Sequence, residues 1–341
     1  MESLPVKGKA FFKGKSMKII FAGTPEFALP VLERLAESRH EIAAVITQPD
    51  KPSGRGQKVQ EGPVKIFARE RGISVLQPEK LKKPPFVEVL KPYNPDLIIV
   101  IAYGKILPKD MLELPRYGCI NIHASLLPRY RGAAPINRAI INEEKITGVT
   151  LMKMAETLDT GEILMSEQVE ILDDDDVQSL GNMISVLGAS LLMQLLDKIE
   201  ATGELKGAPQ DESLASYASK LTPEDCILDW TKTTHQISCK VRGLCPKPVA
   251  MTRLGEKTLK ILRADIYFTE ENEFSVLLNQ KDSEPGSVVK LLKGTGPVVR
   301  TGDGFLIILK AQPPGKNIMS GADLVNGGYI KLSDRFQSTP P

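Results

Sequence analysis

Two polar side chains close a short apolar run in this 341-residue chain. In Gly118-Cys-Ile-Asn-Ile-His-Ala124, Asn121 and His123 stand two residues apart. Alternate side chains of a strand share a face, so the amide and the imidazole would project together, opposite Ile120, Ile122 and Ala124. That pairing is equipped for acyl or formyl transfer. The Asn amide can donate to the oxyanion that develops on an attacked carbonyl, a contribution of about 2.7–4 kcal/mol where such donors have been removed. The imidazole can donate too, or move the proton that an attacking amine must lose, for roughly 10²–10⁴ in rate. A strand end whose Asn and His only satisfy backbone groups has the same spacing, and the pair alone does not exclude it.

Other chemistry-bearing residues extend or limit that reading. Asp159, in Leu158-Asp-Thr-Gly-Glu162, follows an apolar strand over Val149 to Met154 and lies in a turn able to return towards His123. Cys119 reads as a buried strand residue, since no dedicated base accompanies it. The acidic run Asp173 to Asp176 opens a helix whose Leu180, Ile184, Leu187, Leu191, Leu195 and Ile199 form one stripe. Carboxylates at a helix start complement its dipole, so the run reads as structural and not as a metal site. The four cysteines lack CxxC spacing and only three histidines exist. No zinc site, no other metal and no disulfide framework is expected, which points to a reducing cytoplasm.

These residues need a scaffold. From Met17 the order is strand, turn, helix: Lys18 to Ala22, Gly23-Thr24-Pro25, then Phe27, Val31 and Leu35 at helical spacing. Ile42 to Thr47 and Leu97 to Ala102 read as further strands. Uninterrupted apolar strands fit a sheet covered on both faces, so the first part reads as an α/β domain, doubly wound on a mostly parallel sheet. No G-x-G-x-x-G follows the first strand, which argues against a dinucleotide. The long Gly/Pro-rich stretch from Gln48 to Pro63 carries Lys51, Arg55 and Lys58. Such a loop could reach a nucleic acid groove, although a solvated loop is the commoner fate.

The pattern changes near Thr202. Residues 17–203 are expected to form one domain, 204–220 a linker, and 221–333 a second domain. In the latter, a helix over Thr233 to Gly243 precedes short strands around Ala250 to Arg253, Leu259 to Ile266, Gly286 to Leu291 and Gly304 to Gln312. That spacing predicts a small open β-barrel of the oligonucleotide-binding type. Its exposed-looking cations are Lys240, Arg242, Lys247, Arg253, Lys257, Lys260 and Lys316. A net charge of +2 argues for no partner by itself, and no apolar run approaches a membrane span. Met1 to Ser16 carry four lysines and no apolar core, so the fold is expected to begin at Met17.

From Met17 to about Tyr329 the chain resembles a known family. Ser125-Leu-Leu-Pro-Arg-Tyr-Arg-Gly-Ala-Ala-Pro135, with Asn121-Ile-His123 and Leu158-Asp-Thr-Gly161, is similar to the motif set of the folate-dependent formyltransferases. Phe21 to Phe27, Gln48 to Gly56 and Gln312 to Lys316 resemble the branch whose acceptor is initiator methionyl-tRNA. The resemblance implies 10-formyltetrahydrofolate as a consumed donor and Asn121, His123 and Asp159 as the catalytic group. Ser125, Leu126, Leu127 and Pro128 would line the folate pocket, with Ile101, Tyr103 and Ile106 as a second wall. It further implies that the barrel holds tRNA, with Lys240, Arg242 and Lys316 as the expected contacts; a cytoplasmic monomer without membrane contact is expected. The loop of Lys51, Arg55 and Lys58 would enter the acceptor arm. Leu244-Cys-Pro-Lys-Pro248 departs from the family, which more often has an aromatic near Lys247.

Two other readings use the same residues. A formyltransferase acting on a small amine, glycinamide ribonucleotide or an amino sugar nucleotide, would keep Asn121, His123 and Asp159 but would not need the chain beyond Gly203. A catalytically silent RNA-binding protein would keep the barrel. Arg55→Ala separates the loop's role: productive use of initiator tRNA should weaken while folate binding persists. An unchanged kcat/KM for tRNA would remove the loop from recognition.

Overall fold

Uninterrupted Val, Ile and Leu make strands with no face left for water, and Leu97–Ile101 is buried at every residue. The computed structural model describes residues 16–53, 58–82, 85–280 and 283–338. Two compact units emerge. One comprises Met1–His123, Thr150–Ser166 and Ser185–Gln210; the other comprises Ala124–Val149, Glu167–Ile184 and Asp211–Pro341.

In the first unit the strands Cys119–His123, Leu97–Ile101, Lys18–Gly23, Glu41–Ile46 and Val75–Leu76 lie side by side in that order, all parallel. Ile146–Lys153 adds antiparallel to Cys119–His123, and Ile163–Glu170 completes the seven-stranded sheet. The chain winds outward from Lys18–Gly23, then returns to its other side with Leu97–Ile101. The expected doubly wound, mostly parallel sheet is therefore present. Ligand crevices of such sheets open at the carboxyl ends beside this reversal. The turn there is tight: a Cβ on Gly23 would lie 2.9 Å from the Ala28 Cβ and 3.0 Å from the Ile101 carbonyl oxygen.

The helix Val177–Thr202 corrects one expectation. By length and composition it could cross a membrane, with a mean hydropathy of 1.5 over its most apolar window. Gly181, Asn182, Ser185 and Ser190 interrupt its apolar residues, so the character appears only on averaging. In the fold 56% of that window is buried, as for a core helix, and Ser185 donates to the Phe27 carbonyl at 2.6 Å. Its acidic start is structural, as expected: Asp176 Oδ1 accepts from the backbone of Gln178 and Ser179 at 2.8 and 2.9 Å.

In the second unit an antiparallel sheet runs Val288–Leu292, Gly296–Arg300, Phe305–Gln312, Lys257–Ile266, Ala250–Leu254 and Phe336–Gln337. Register shifts on both sides of Arg263 sharpen the curl of its long central pair into the expected open barrel. Trp230 anchors the core, stacked on Phe336 at 5.5 Å with its indole nitrogen donating to Thr252 Oγ1 at 2.9 Å. The helix Thr234–Leu244 starts with a Thr233/Gln236 capping box. It packs on Pro135–Ile141, where Asn137 Nδ2 donates to the Gly243 carbonyl at 2.8 Å.

The strand Gly296–Arg300, hidden in sequence by its Gly-Pro start, was not among the expected ones, nor was the helix Glu271–Leu278. The stretch 204–220 has little periodicity yet is tied down at several points. Ala208 and Ile163 exchange backbone hydrogen bonds of 2.8 and 2.9 Å, and Tyr217–Ala218 pairs with Arg131–Gly132. Backbone pairing of this kind leaves no mark on side-chain periodicity.

The second unit holds a forked ion pair whose pH response is testable. Arg138 donates to both oxygens of Asp225 at 2.9 and 2.7 Å, holding that carboxyl down from 3.8 to about 2. A depressed folded-state pKa stabilises above the unfolded value, and the contribution is lost as pH falls through the folded one. Asp225→Asn should therefore unfold at lower denaturant than the parent at neutral pH. The gap should narrow between the ordinary value of 3.8 and about 2. A pH-independent gap in urea titrations would mean that the pair contributes nothing electrostatic.

Candidate active site

The strand Cys119–His123 has neighbours on both sides, so its backbone is committed to the sheet and its side chains are what it can offer. Asn121 sits opposite Met152 and His123 opposite Thr150 on Ile146–Lys153. Past that strand the chain turns back, and Asp159 returns to the pair. Asn121 Nδ2 donates to Asp159 Oδ1 at 3.5 Å, and Asp159 Oδ2 lies 3.7 Å from His123 Nδ1. The side chains of His123 and Asp159 are only 6% and 7% exposed. The structure thus gathers the three residues into one polar cluster with a nearly buried carboxylate at its centre. Cys119, two residues away, is different: it is buried, its thiol faces the Met111 carbonyl and burial pushes it up to about 12, which disfavours the thiolate.

The turn that delivers Asp159 is tightly specified. Asp159 has φ +53°, a left-handed conformation that costs a typical L-residue about 1–2 kcal/mol and that Asp adopts more readily than most. Gly161 lies against Lys153, where a Cβ would sit 1.6 Å from the carbonyl oxygen. Thr160 Oγ1 meets Thr157 Oγ1 at 2.7 Å. Gln210 closes the turn: its Nε2 donates to the carbonyls of Asp159 at 2.9 Å and Gly161 at 2.7 Å. Sequence reasoning missed Gln210. An amide that binds backbone carbonyls from an aperiodic stretch produces no pattern to read.

The residues assigned to a folate pocket fall in different settings. Ser125, Leu126, Leu127 and Pro128 belong to the second unit. Ser125 is buried and donates to the Arg129 carbonyl at 2.6 Å, and Leu127 is buried ahead of a cis Pro128. Ile101, Tyr103 and Ile106 belong to the first unit. Ile101 and Tyr103 are core residues; the Tyr103 hydroxyl has no hydrogen-bond partner among the described residues, and burial raises it to about 12. Ile106, by contrast, is 70% exposed. With Leu81, Lys80, Lys82 and Lys105 it borders an open cavity of about 480 Å³. Burial pulls the Lys105 ammonium down, and it donates to the Pro78 and Glu79 carbonyls.

The basic residues divide likewise. Lys51 is exposed at the start of a hairpin, Lys51–Ser53 with Lys58–Gln60, to which Lys58 contributes backbone pairing. Arg55 lies outside the described residues. The hairpin's base is braced at Asp50, which Lys65 and Gln77 hold below the usual carboxylate range. Lys316 is exposed, as are Lys247, Lys257 and Lys260. Lys240 and Arg242 are not the free surface cations expected. Both lie on the largely buried helix Thr234–Leu244, where Lys240 donates to the Ile227 carbonyl and Arg242 to the Asp175 carbonyl at 2.6 Å. Among the described residues, no group of three or more His, Cys, Asp or Glu could hold a metal ion.

Comparison with known proteins places this geometry in context. Residues 17–196 match the family described as Formyl transferase, and residues 220–328 match the Formyl transferase C-terminal domain. The methionyl-tRNA formyltransferase of Fusobacterium nucleatum is 43% identical over 320 residues, covering 94% of this chain and 100% of that protein. That of Dictyoglomus turgidum is 45% identical over 324 residues, covering 95% and 100%. Among solved structures, HypX from Aquifex aeolicus in complex with tetrahydrofolic acid superposes with a TM-score of 0.64 at 20% identity over 93% of this chain, a likeness of fold. The chain spans about half of HypX, 48% of its length.

The packing of Gly161 on Lys153 gives a direct test of the turn. Gly161→Ala must displace the turn or the strand end, an overpacking penalty of about 1–3 kcal/mol. It should lower the melting temperature, whereas Thr160→Ala should lower it less. Equal melting of Gly161→Ala and the parent would show that the turn yields without cost.

Proposed function

The chain belongs to the formyl transferase family, and from that premise we propose that it moves the formyl group of 10-formyltetrahydrofolate to the amino group of methionine on initiator methionyl-tRNA. The observation that carries the chemistry is the convergence of Asn121 and His123 on Asp159 at a strand end. The acceptor is supported by relatives of 43% and 45% identity that align along their whole length and are named for methionyl-tRNA. Small-amine acceptors leave that full-length similarity unexplained, and a silent RNA binder leaves the catalytic cluster without a use.

The reaction forms a bond between the methionine nitrogen and the formyl carbon, and the carbonyl π electrons move to oxygen. Asn121 donates its amide to that oxyanion, and His123 donates beside it or takes up the proton that the amine loses. The intermediate collapses as the bond from the formyl carbon to the folate nitrogen breaks, and that nitrogen gains a proton. Asp159 keeps the amide and the ring in place for this sequence. No covalent enzyme intermediate is needed. The donor is a consumed substrate.

In the same reading, 17–203 form the catalytic domain, 204–220 the connection and 221–333 the tRNA-binding domain of a cytoplasmic monomer. The loop carrying Lys51, Arg55 and Lys58 meets the acceptor arm. On the barrel, exposed Lys316, Lys247, Lys257 and Lys260 are better placed to meet phosphates than Lys240 and Arg242, whose charges are spent on carbonyls. Affinity for tRNA then falls with added salt.

The test is to mix the protein with 10-formyltetrahydrofolate and charged initiator tRNA and to look for formylmethionine. Product is expected, and its absence would sink the enzyme reading. Product from small amines alone would sink the tRNA acceptor. His123→Ala should slow single-turnover formation by roughly 10²–10⁴; a near-parental rate would remove His123 from the chemistry.

A further inference from the structure

We infer that Gln210 is a positioning residue for the formyl-transfer site, acting through the backbone of the turn that carries Asp159. The inference rests on the function proposed above. Asp159 meets His123 and Asn121 through its side chain, but the direction of that side chain is set by a left-handed backbone at φ +53°. Such conformations persist where the surroundings over-determine them. Gln210 is a constraint on this turn from a distant part of the chain. One amide nitrogen has two hydrogens, and it spends them on two carbonyls, 2.9 Å to Asp159 and 2.7 Å to Gly161. These carbonyls flank Thr160, so the amide spans the turn.

Gln210 is held in its turn by the sheet. Ala208 and Ile163 exchange two backbone hydrogen bonds, and a Cβ on Gly207 would come within 2.7 Å of the Ile163 carbonyl oxygen. The segment 207–210 thus lies as a strap along the edge formed by Ile163, with Gln210 at its end. On the turn's other side Gly161 rests on Lys153, whose backbone nitrogen donates to the Glu162 carbonyl at 2.9 Å. The turn is gripped between strand and strap. Loss of the strap's amide frees the carbonyls of residues 159 and 161, and the carboxylate loses its fixed bearing on His123 while the sheet stays intact.

Two variants of the full chain test this. Gln210→Leu removes both donors. Gln210→Glu keeps the shape but presents an acceptor to two carbonyls while ionised and regains one donor on protonation. With saturating 10-formyltetrahydrofolate and charged initiator tRNA, both should lower the single-turnover rate by about 10- to 100-fold, as misplacement of a catalytic group does. KM for the donor and the folded fraction should stay near parental. Below neutral pH, towards the ordinary Glu value of about 4.3, Gln210→Glu should regain activity relative to Gln210→Leu. A residue with only a structural role would give no such divergence. Parental rates in both variants would overturn the inference. So would losses that follow KM or the folded fraction alone, or identical pH profiles of the two variants. Should Gln210→Leu fail to fold, the pH profile of Gln210→Glu against the parent decides. No product from the parent protein would overturn the formyl-transfer reading and this inference together, whereas an active parent with unaffected variants overturns this inference alone.

Discussion

A carboxylate that is only 7% exposed must be matched by donors or it will not stay where the fold puts it. Asp159 is that carboxylate, and much of the first unit can be understood as the means of bringing partners to it. The parallel sheet carries Asn121 and His123 to the end of one strand. The antiparallel strand beside it supplies the Lys153 carbonyl on which Gly161 rests. The resulting cluster is small, polar and backed by largely buried strands, so its groups have few alternative positions. Preorganised donors of this kind contribute to catalysis because they need not reorient as charge develops.

Backbone carbonyls do comparable service elsewhere. Lys240, Arg242, Lys105 and Gln210 all donate to main-chain oxygens. Each such bond converts a residue that looks like a surface cation or a solvated amide into part of the framework. The buried guanidinium of Arg131 is held instead by a side chain, forked onto the Glu212 carboxylate at 2.8 and 2.7 Å. Glu212 stands two residues beyond Gln210, so an aperiodic stretch of chain supplies partners to the Asp159 turn and to a buried cation in succession.

The fold class was legible because it follows from side-chain patterns. Leu97 to Ile101 reads as a buried strand from its short apolar run rich in β-branched residues, and the acidic start of Val177–Thr202 can be read from helix electrostatics. The cluster of Asn121, His123 and Asp159 was legible because Asn121 and His123 share a strand face and Asp159 lies in a short turn with a glycine. Legibility failed where backbone geometry or averaging mattered. Gly296–Arg300 begins with Gly-Pro and yet pairs on both sides. The membrane-length apolar character of Val177–Thr202 hides behind small polar residues. Lys240 and Arg242 looked exposed because sequence does not reveal which helix faces are covered.

Periodicity and residue type by themselves determined the inner strands of the parallel sheet, the long helix Val177–Thr202 and the identity of the groups able to stabilise an oxyanion, since these depend on local spacing. Tertiary structure decided the rest: that Asp159 meets both Asn121 and His123, that Ile101 and Tyr103 are core while Ile106 is exposed, and that Gln210 grips the turn. Those outcomes depend on which backbone passes within hydrogen-bond reach of a side chain far away in sequence. Residues Asn121 and His123 thus announce a chemistry that the return of Asp159, 36 residues past His123, makes geometrically available.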